Sequence, residues 1–310
     1  MTEPQLKVLV PEGLGLDFSD APSTIETVLY QPGEPWPVEH SDAGVVVVGY
    51  DKAPAVGARF KDLTDLRLIQ TLNAGYEQWL PLVPDGVMLS NGRGAHGGSS
   101  AEWVVAALLT IYRDLARFHQ QQSEGIWRDW DTETLIGKRI VVLGAGDLAT
   151  NLAARLAPFE TDVVLVGRRA RPGVHALADV AELLPNADVV VALLPDSPAT
   201  RNVIDADFLA KLPDGAVVVN AGRGGSLDTD ALQAELTSGR LRAALDVTNP
   251  EPLPEGHPLW SAPGLLLTPH VAGSVHGGWQ RAWAIALRQI EVYAGGGIPS
   301  NLVAGPGSAE

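Results

Sequence analysis

The chain has 310 residues, about right for two domains, and with 45% hydrophobic and 19% charged residues it excludes collagen, coiled coil and wholesale disorder. Lysine and arginine number 22 against 37 acidic residues, a net charge of -15; that field repels nucleic acid and anionic lipid, so neither is an expected partner and a small anionic ligand needs a local basic group. Zero cysteines exclude disulfides, thiolate nucleophiles and most structural zinc sites, and no metal site is expected.

The opening run MTEPQLKVLVPEG carries an acid and a proline where a secretory leader has a basic start. The longest apolar runs, such as Val189 to Leu194, fall short of the roughly 20 residues a membrane span needs, so the chain reads as soluble and cytoplasmic. Lys7 to Val10, Gly44 to Gly49, Arg67 to Leu72 and Val87 to Ser90 are β-branched, apolar runs that fit strands of a covered parallel sheet. Gln31 to Val38 is rich in proline and reads as a loop. A glycine-rich hinge from Asn91 to Gly98 ends at Ser99-Ser100, which can cap one long helix to about Gln122. From Arg139 the rhythm becomes regular. Strands are predicted at Ile140 to Leu143, Val163 to Val166, Val189 to Leu194, Ala216 to Asn220, Leu241 to Val247 and Leu265 to Thr268. Helices are predicted from Asp147 and over Leu177 to Leu184, with a last helix over Gly277 to Tyr293. This alternation predicts a doubly wound parallel sheet. The tail from Gly295 to Glu310 reads as mobile.

Leu143-Gly144-Ala145-Gly146-Asp147-Leu148-Ala149 stands where a strand turns into a helix. This is the G-x-G-x-x-A form of the dinucleotide fingerprint: the first glycine turns tightly, the second admits the pyrophosphate, and the helix N-terminus offers N–H groups. Gly144, Ala145, Gly146, Asp147 and Leu148 are therefore cofactor candidates. An NAD site places an acid at the end of the next strand to bind the ribose hydroxyls. Here that strand ends in Gly167-Arg168-Arg169-Ala170-Arg171. Guanidinium forks match a 2′-phosphate, so Arg168 and Arg169 point to NADP, with NAD still possible; the alternative is a solvated basic turn.

Three more motifs end strands, where open α/β sheets place ligands. They are Asn220-Ala221-Gly222-Arg223-Gly224, then Leu245-Asp246-Val247 with Pro250-Glu251-Pro252-Leu253-Pro254, and Thr268-Pro269-His270. In this order, after Gly-x-Gly, they resemble the D-2-hydroxyacid dehydrogenase family, over about Leu66 to His270. The resemblance is specific, with one departure: the family usually carries Phe-Glu where this chain has Thr248-Asn249.

Reduction of a 2-keto acid needs a hydride donor, a cation for carboxylate or carbonyl, and a proton donor working near neutral pH. Arg223 is a permanent cation able to hold both oxygens. His270, among seven histidines, sits directly after a predicted sheet strand near the expected cofactor and is the acid in reduction, the base in oxidation. Glu251 pairs with it and orients the ring. The resemblance implies these same roles for Arg223, Glu251 and His270, and places Asp246 near the nicotinamide. Leu194, Pro195, Asn220 and Ala221 complete the cofactor candidates. By the same resemblance, Ala74, Gly75 and Tyr76 stand where the family binds the substrate carboxylate with backbone N–H groups. Tyr76 and Trp79 either shape that pocket or belong to the core, and His96 reads as a polar loop residue. Trp127 and Trp130 lie in a segment where relatives make dimer contacts, so a homodimer is expected.

The resulting expectation is α/β, with a Rossmann-type cofactor domain (99–274) inserted into a flavodoxin-like substrate domain (1–98 and 275–310). The activity implied is hydride transfer between NADP(H) and C2 of a small 2-keto or 2-hydroxy acid, of the glyoxylate or hydroxypyruvate reductase kind. Two rivals stay open: a non-catalytic dinucleotide-sensing corepressor, and a phosphite- or formate-type dehydrogenase on the same scaffold.

Overall fold

The computed structural model describes residues 6–49 and 52–308. The first five residues, part of the run read for a leader, and the last two of the tail lie outside them. The chain divides into two compact units, residues 1–96 with 276–310, and residues 97–275.

In chain order the first unit contains β1 (Leu6–Pro11), β2 (Ile25–Tyr30), β3 (Val45–Val48), α1 (Ala53–Gly57), β4 (Leu68–Thr71) and β5 (Met88–Ser90). The second contains α2 (Gly97–Tyr112), α3 (Leu115–Glu124), β6 (Arg139–Leu143), α4 (Asp147–Leu156), β7 (Asp162–Gly167), β8 (Val174–Ala176) and β9 (Val189–Ala192). It continues through α5 (Ala206–Leu209), β10 (Val217–Asn220), α6 (Thr229–Thr237), β11 (Arg242–Leu245) and β12 (Leu265–Leu267). The chain then returns to the first unit with α7 (Gly278–Ala294) and β13 (Leu302–Ala304).

The second unit's sheet has the order β12-β11-β10-β9-β6-β7-β8, with every pair parallel. Counted within the unit, this is the Rossmann order, and strand direction of travel reverses between β6 and β9. Alternate residues explain why both faces are covered. Val141, Leu143, Val190, Val218 and Leu245 pack on one face with Phe208 and Leu232 from α5 and α6. Ile140, Val142, Val191 and Val219 pack on the other with Val104 and Leu108 of α2 and Leu152 of α4.

The first unit's sheet runs β13-β5-β4-β3-β1-β2. Five strands are parallel in the flavodoxin-like order, and β13 adds an antiparallel edge. Leu9, Val46 and Ile69 face Trp36, Phe60 and Trp79 on one side. Val8, Val45 and Leu68 face Ala282, Trp283 and Ile290 of α7 on the other.

Four features depart from the sequence expectations. The single helix ending near Gln122 is two helices, because Asp114 takes φ 50° and its carboxylate accepts the Trp130 indole N–H at 2.7 Å. Leu177 to Leu184 forms short 3-10 turns instead of an α-helix, interrupted before Pro185. The edge strands β2 and β8 lack a strand signal in the sequence because polar Glu26, Thr27 and His175 break their apolar runs. The tail is not loose where it is described: Leu302–Ala304 pairs with β5. Among the described residues, no helix is long and apolar enough to cross a membrane.

Leu152 is fully buried between α4 and the sheet. Leu152→Ala is expected to lower the stability of this unit by about 2–5 kcal/mol, measured by urea denaturation.

Candidate active site

The glycine-rich turn occupies the strand reversal between β6 and β9. Gly144 takes φ 124°, and a Cβ there would lie 2.7 Å from the Leu193 carbonyl, so no other residue fits. Its N–H donates to Val166 O at 2.7 Å, while Leu193 N–H donates to Leu143 O at 2.8 Å. These bonds seat the 143–146 backbone beside Leu194, which is itself buried. Pro195 is fixed by the Thr200 hydroxyl, which donates to its carbonyl at 2.7 Å. Gly146 precedes α4 in extended conformation, and the first-turn N–H groups from Asp147 and Leu148 onward are those an anion can use. Ala149, with no exposed surface, lets the helix lie against the sheet. The Asp147 carboxylate is turned to internal work: Oδ1 accepts Asn151 Nδ2 at 3.1 Å, and Oδ2 fills the space where Gly97 would carry a Cβ.

Arg168 and Arg169 follow β7 and are exposed. Arg171, the third cation of the run, donates from Nη2 to the Ala145 carbonyl at 2.8 Å. It therefore ties the arginine turn directly to the glycine-rich turn, a tertiary bond that no spacing rule signals. The close backbone, the helix N-terminus and the anchored Arg171 suit the phosphates of a dinucleotide.

Arg223 follows β10 in a turn organised by the fully buried Asn220. Asn220 Nδ2 donates to Arg223 O at 3.0 Å, and Oδ1 accepts Gly222 N–H at 3.1 Å. Ser226 Oγ donates to the same Arg223 carbonyl at 2.8 Å. The Ala221 N–H is held by Ala192 O at 3.2 Å. Next to Arg223, a Cβ on Gly224 would overlap the Thr248 carbonyl, so this turn packs closely on the segment leading to Glu251. Thr229 fixes that segment further, its hydroxyl donating to Asn249 O at 2.7 Å. Thr248 and Asn249, which depart from the family pattern, lie in the segment that these contacts fix ahead of Glu251.

His270 takes φ 54°, a left-handed conformation that costs a non-glycine residue about 1–3 kcal/mol. The surrounding bonds explain how it is held. His270 N–H donates to Asp246 O at 2.7 Å. The Asp246 carboxylate, 2% exposed, accepts the Thr268 hydroxyl at 2.6 Å, Val271 N–H at 2.8 Å and Ala272 N–H at 2.9 Å. Those donors flank His270 on both sides, so one buried carboxylate shapes the whole turn. In that turn His270 Nδ1 lies 2.6 Å from Glu251 Oε1. Arg223, Glu251 and His270 all arise from loops at the carboxyl ends of β10, β11 and β12. Sequence reasoning missed Thr268 as a partner of Asp246; its place two residues before His270 was the available signal.

The remaining candidates belong to the first unit. After β4, the Asn73 carbonyl accepts Thr71 Oγ1 at 2.5 Å and Gly92 N–H at 2.8 Å, and Ala74 O accepts Asn91 Nδ2 at 2.7 Å. The Tyr76 N–H is given to Glu77 Oε2 at 2.9 Å. Gly75 is exposed. Trp79, 1% exposed, belongs to the core. His96 sets its ring edge-on to Trp279, with centroids 6.4 Å apart.

Asp246→Asn replaces one acceptor oxygen with a donor facing backbone N–H or hydroxyl groups. It is expected to lower stability by about 1–3 kcal/mol, against about 1 kcal/mol for Thr268→Val, with urea denaturation as the measurement.

Comparison with known proteins identifies the family. The sequence profile described as "D-isomer specific 2-hydroxyacid dehydrogenase, NAD binding domain" matches residues 105–272. The human glyoxylate reductase/hydroxypyruvate reductase is 33% identical over 190 residues, covering 57% of this chain and 58% of that protein. A D-isomer specific 2-hydroxyacid dehydrogenase from Xanthobacter autotrophicus Py2, solved with NADPH and MES, is 29% identical with a TM-score of 0.79, covering 96% of this chain and 98% of that one. An NADPH-dependent glyoxylate/hydroxypyruvate reductase from Sinorhizobium meliloti, solved with NADP and sulfate, is 26% identical with a TM-score of 0.80, over 96% and 98%. With a profile match over more than half of its length and a Rossmann-ordered sheet within the matched region, this chain belongs to the D-isomer specific 2-hydroxyacid dehydrogenase family.

Proposed function

We propose that this protein is an NADP-dependent reductase of a small 2-keto acid of the glyoxylate or hydroxypyruvate kind. The observation that carries the reading is the 2.6 Å pair of His270 Nδ1 and Glu251 Oε1, on a turn that strand ends and a buried carboxylate hold in place. With Nδ1 engaged by the carboxylate, the ring has a fixed orientation, and Nε2 is the atom to which we assign proton transfer to the carbonyl oxygen. Arg223, permanently cationic, binds the carboxylate and polarises the carbonyl. The nicotinamide, when bound, supplies the hydride to C2, and the product is the 2-hydroxy acid.

We assign the cofactor to the unit of residues 97–275. There the 144–148 turn takes the pyrophosphate, and Leu194, Pro195 and Ala221 line the crevice. Asn220 and Asp246 act through the backbone they hold. Arg168 and Arg169 take the 2′-phosphate, which is supported by the absence of an acid at the end of β7 and by the anchoring of Arg171 on Ala145. In the unit of residues 1–96 with 276–310, we assign carboxylate binding to the Ala74 and Gly75 N–H groups, the Tyr76 N–H being taken by Glu77. The apolar side chains left exposed along 115–136, Leu115, Ile126, Trp127 and Ile136, support a homodimer, which sedimentation checks. An acidic, cysteine-free chain suits the cytoplasm.

Hydride transfer assayed with NADPH over a panel of 2-keto acids, with formate and phosphite as oxidation controls, tests the reading; turnover of a small 2-keto acid is expected, and none on any of them overturns it. His270→Gln is expected to reduce kcat by about 10²–10⁴-fold with little change in NADPH affinity. Arg168→Ala should raise KM for NADPH far more than KM for NADH, and equal effects would refute the NADP assignment.

A further inference from the structure

The first unit contains a chain of buried amides that nothing in the mechanism above uses. Asn91, Gln289 and Asn301 are 6%, 8% and 6% exposed. Gln289 Oε1, on α7, accepts Asn301 N–H at 3.0 Å and Ser300 Oγ at 3.1 Å. Asn301 Nδ2 donates to the carbonyls of Asn91 and Arg93, both at 3.0 Å, and its Oδ1 accepts Arg93 Nε at 3.2 Å. Asn301 O in turn accepts Asn91 N–H at 3.0 Å. Asn91 Oδ1 accepts Arg93 N–H at 3.2 Å, and Asn91 Nδ2 reaches Ala74 O at 2.7 Å. Both ends of the Asn91 and Asn301 amides are thus employed, and such a satisfied buried network fixes one geometry.

The consequence follows from the planarity of the peptide. In a trans peptide the C=O and the following N–H point in opposite directions. Thr71 and Gly92 hold the Asn73 carbonyl, and Asn91 holds the Ala74 carbonyl. Pinning these two oxygens aims the N–H groups of Ala74 and Gly75 the opposite way. Successive N–H groups held in that manner form an anion-binding concavity.

We propose that Asn91 is a positioning residue for the substrate carboxylate, and that Asn301 and Gln289 hold it there, making the segment before β13 a working part of the substrate site. The proposal rests on the reading of Ala74 to Tyr76 as a carboxylate loop. It also gives the C-terminal segment a task beyond completing a sheet edge.

The test compares Asn91→Ala, Asn91→Asp and Asn301→Ala in the full chain. Asn91→Asp keeps the shape but has no N–H for Ala74 O, so a space-filling role would be rescued by it and an orienting role would not. Each variant is expected to raise KM for the 2-keto acid by about 5–20-fold while leaving kcat within about 3-fold and NADPH binding unchanged. Tyr30→Phe, which loses the buried bond from the Tyr30 hydroxyl to Val47 O, controls for loss of stability alone and should leave KM unmoved. Gln289→Met, one step further from the loop, gives a milder effect in the same direction should the asparagine variants fail to fold. Amide hydrogen exchange at residues 73–76 supplies a readout that needs no activity: it should quicken in Asn91→Ala and Asn301→Ala but not in Tyr30→Phe. Unchanged exchange at 73–76, rescue by Asn91→Asp, or an unmoved KM would each overturn the proposal. Absence of any 2-keto acid turnover by the unmodified protein would instead remove the functional reading, while the exchange experiment still decides whether the amides hold the loop.

Discussion

The Asp246 carboxylate is the constraint on which the candidate site depends. A buried carboxylate is costly unless it is hydrogen-bonded, and Asp246 is 2% exposed. Three donors from one short stretch, the Thr268 hydroxyl and the N–H groups of Val271 and Ala272, offset that cost. Because they lie on both sides of His270, satisfying the acid forces the intervening residue into the left-handed conformation it would otherwise avoid. The histidine that faces Glu251 is therefore placed by an acid that need not touch the reacting atoms. Charge-assisted bonds to backbone donors are strong, which is why one side chain suffices to hold a strained turn.

The turn carrying Arg223 uses a neutral version of the same device. Asn220 spans it with an acceptor and a donor, and Gly224 brings it against the Thr248 carbonyl. In the cofactor cradle the corresponding device is steric, since Gly144 must admit the Leu193 carbonyl. In each case the groups proposed for chemistry sit on loops, while buried polar atoms and close backbone contacts at strand ends fix their positions.

Electrostatics follow a related division. The net charge of -15 sets a repulsive field for anions over the molecule as a whole, but charge is a local quantity within a Debye length of about 10 Å. Arg168, Arg169 and Arg171 gather beside the glycine-rich turn, and Arg223 stands at the end of β10. The acidic exterior and the proposed anionic ligands are compatible because these four arginines stand locally at strand ends.

Much of this protein was legible from the sequence because its signals are local. β-branched runs such as Val189–Ala192 mark buried parallel strands by composition, and the Gly144–Ala149 turn marks a cradle because only glycine tolerates such backbone approach. The order of Arg223, Asp246, Glu251 and His270 along the chain also sufficed to predict the family. Other features depended on partners distant in sequence. The break at Asp114 needs Trp130, the ordering of the tail needs the exposed edge of β5, and the anchoring of Arg171 needs the Ala145 carbonyl. Asn91 and Asn301, 210 residues apart, carry no motif and read as ordinary loop polar residues until the sheet brings them together. Residue type and spacing determined which backbone could be close-packed and which side chains could carry charge or protons. Only the tertiary structure decided which buried donors and acceptors satisfy one another, because that pairing is set by packing rather than by position along the chain.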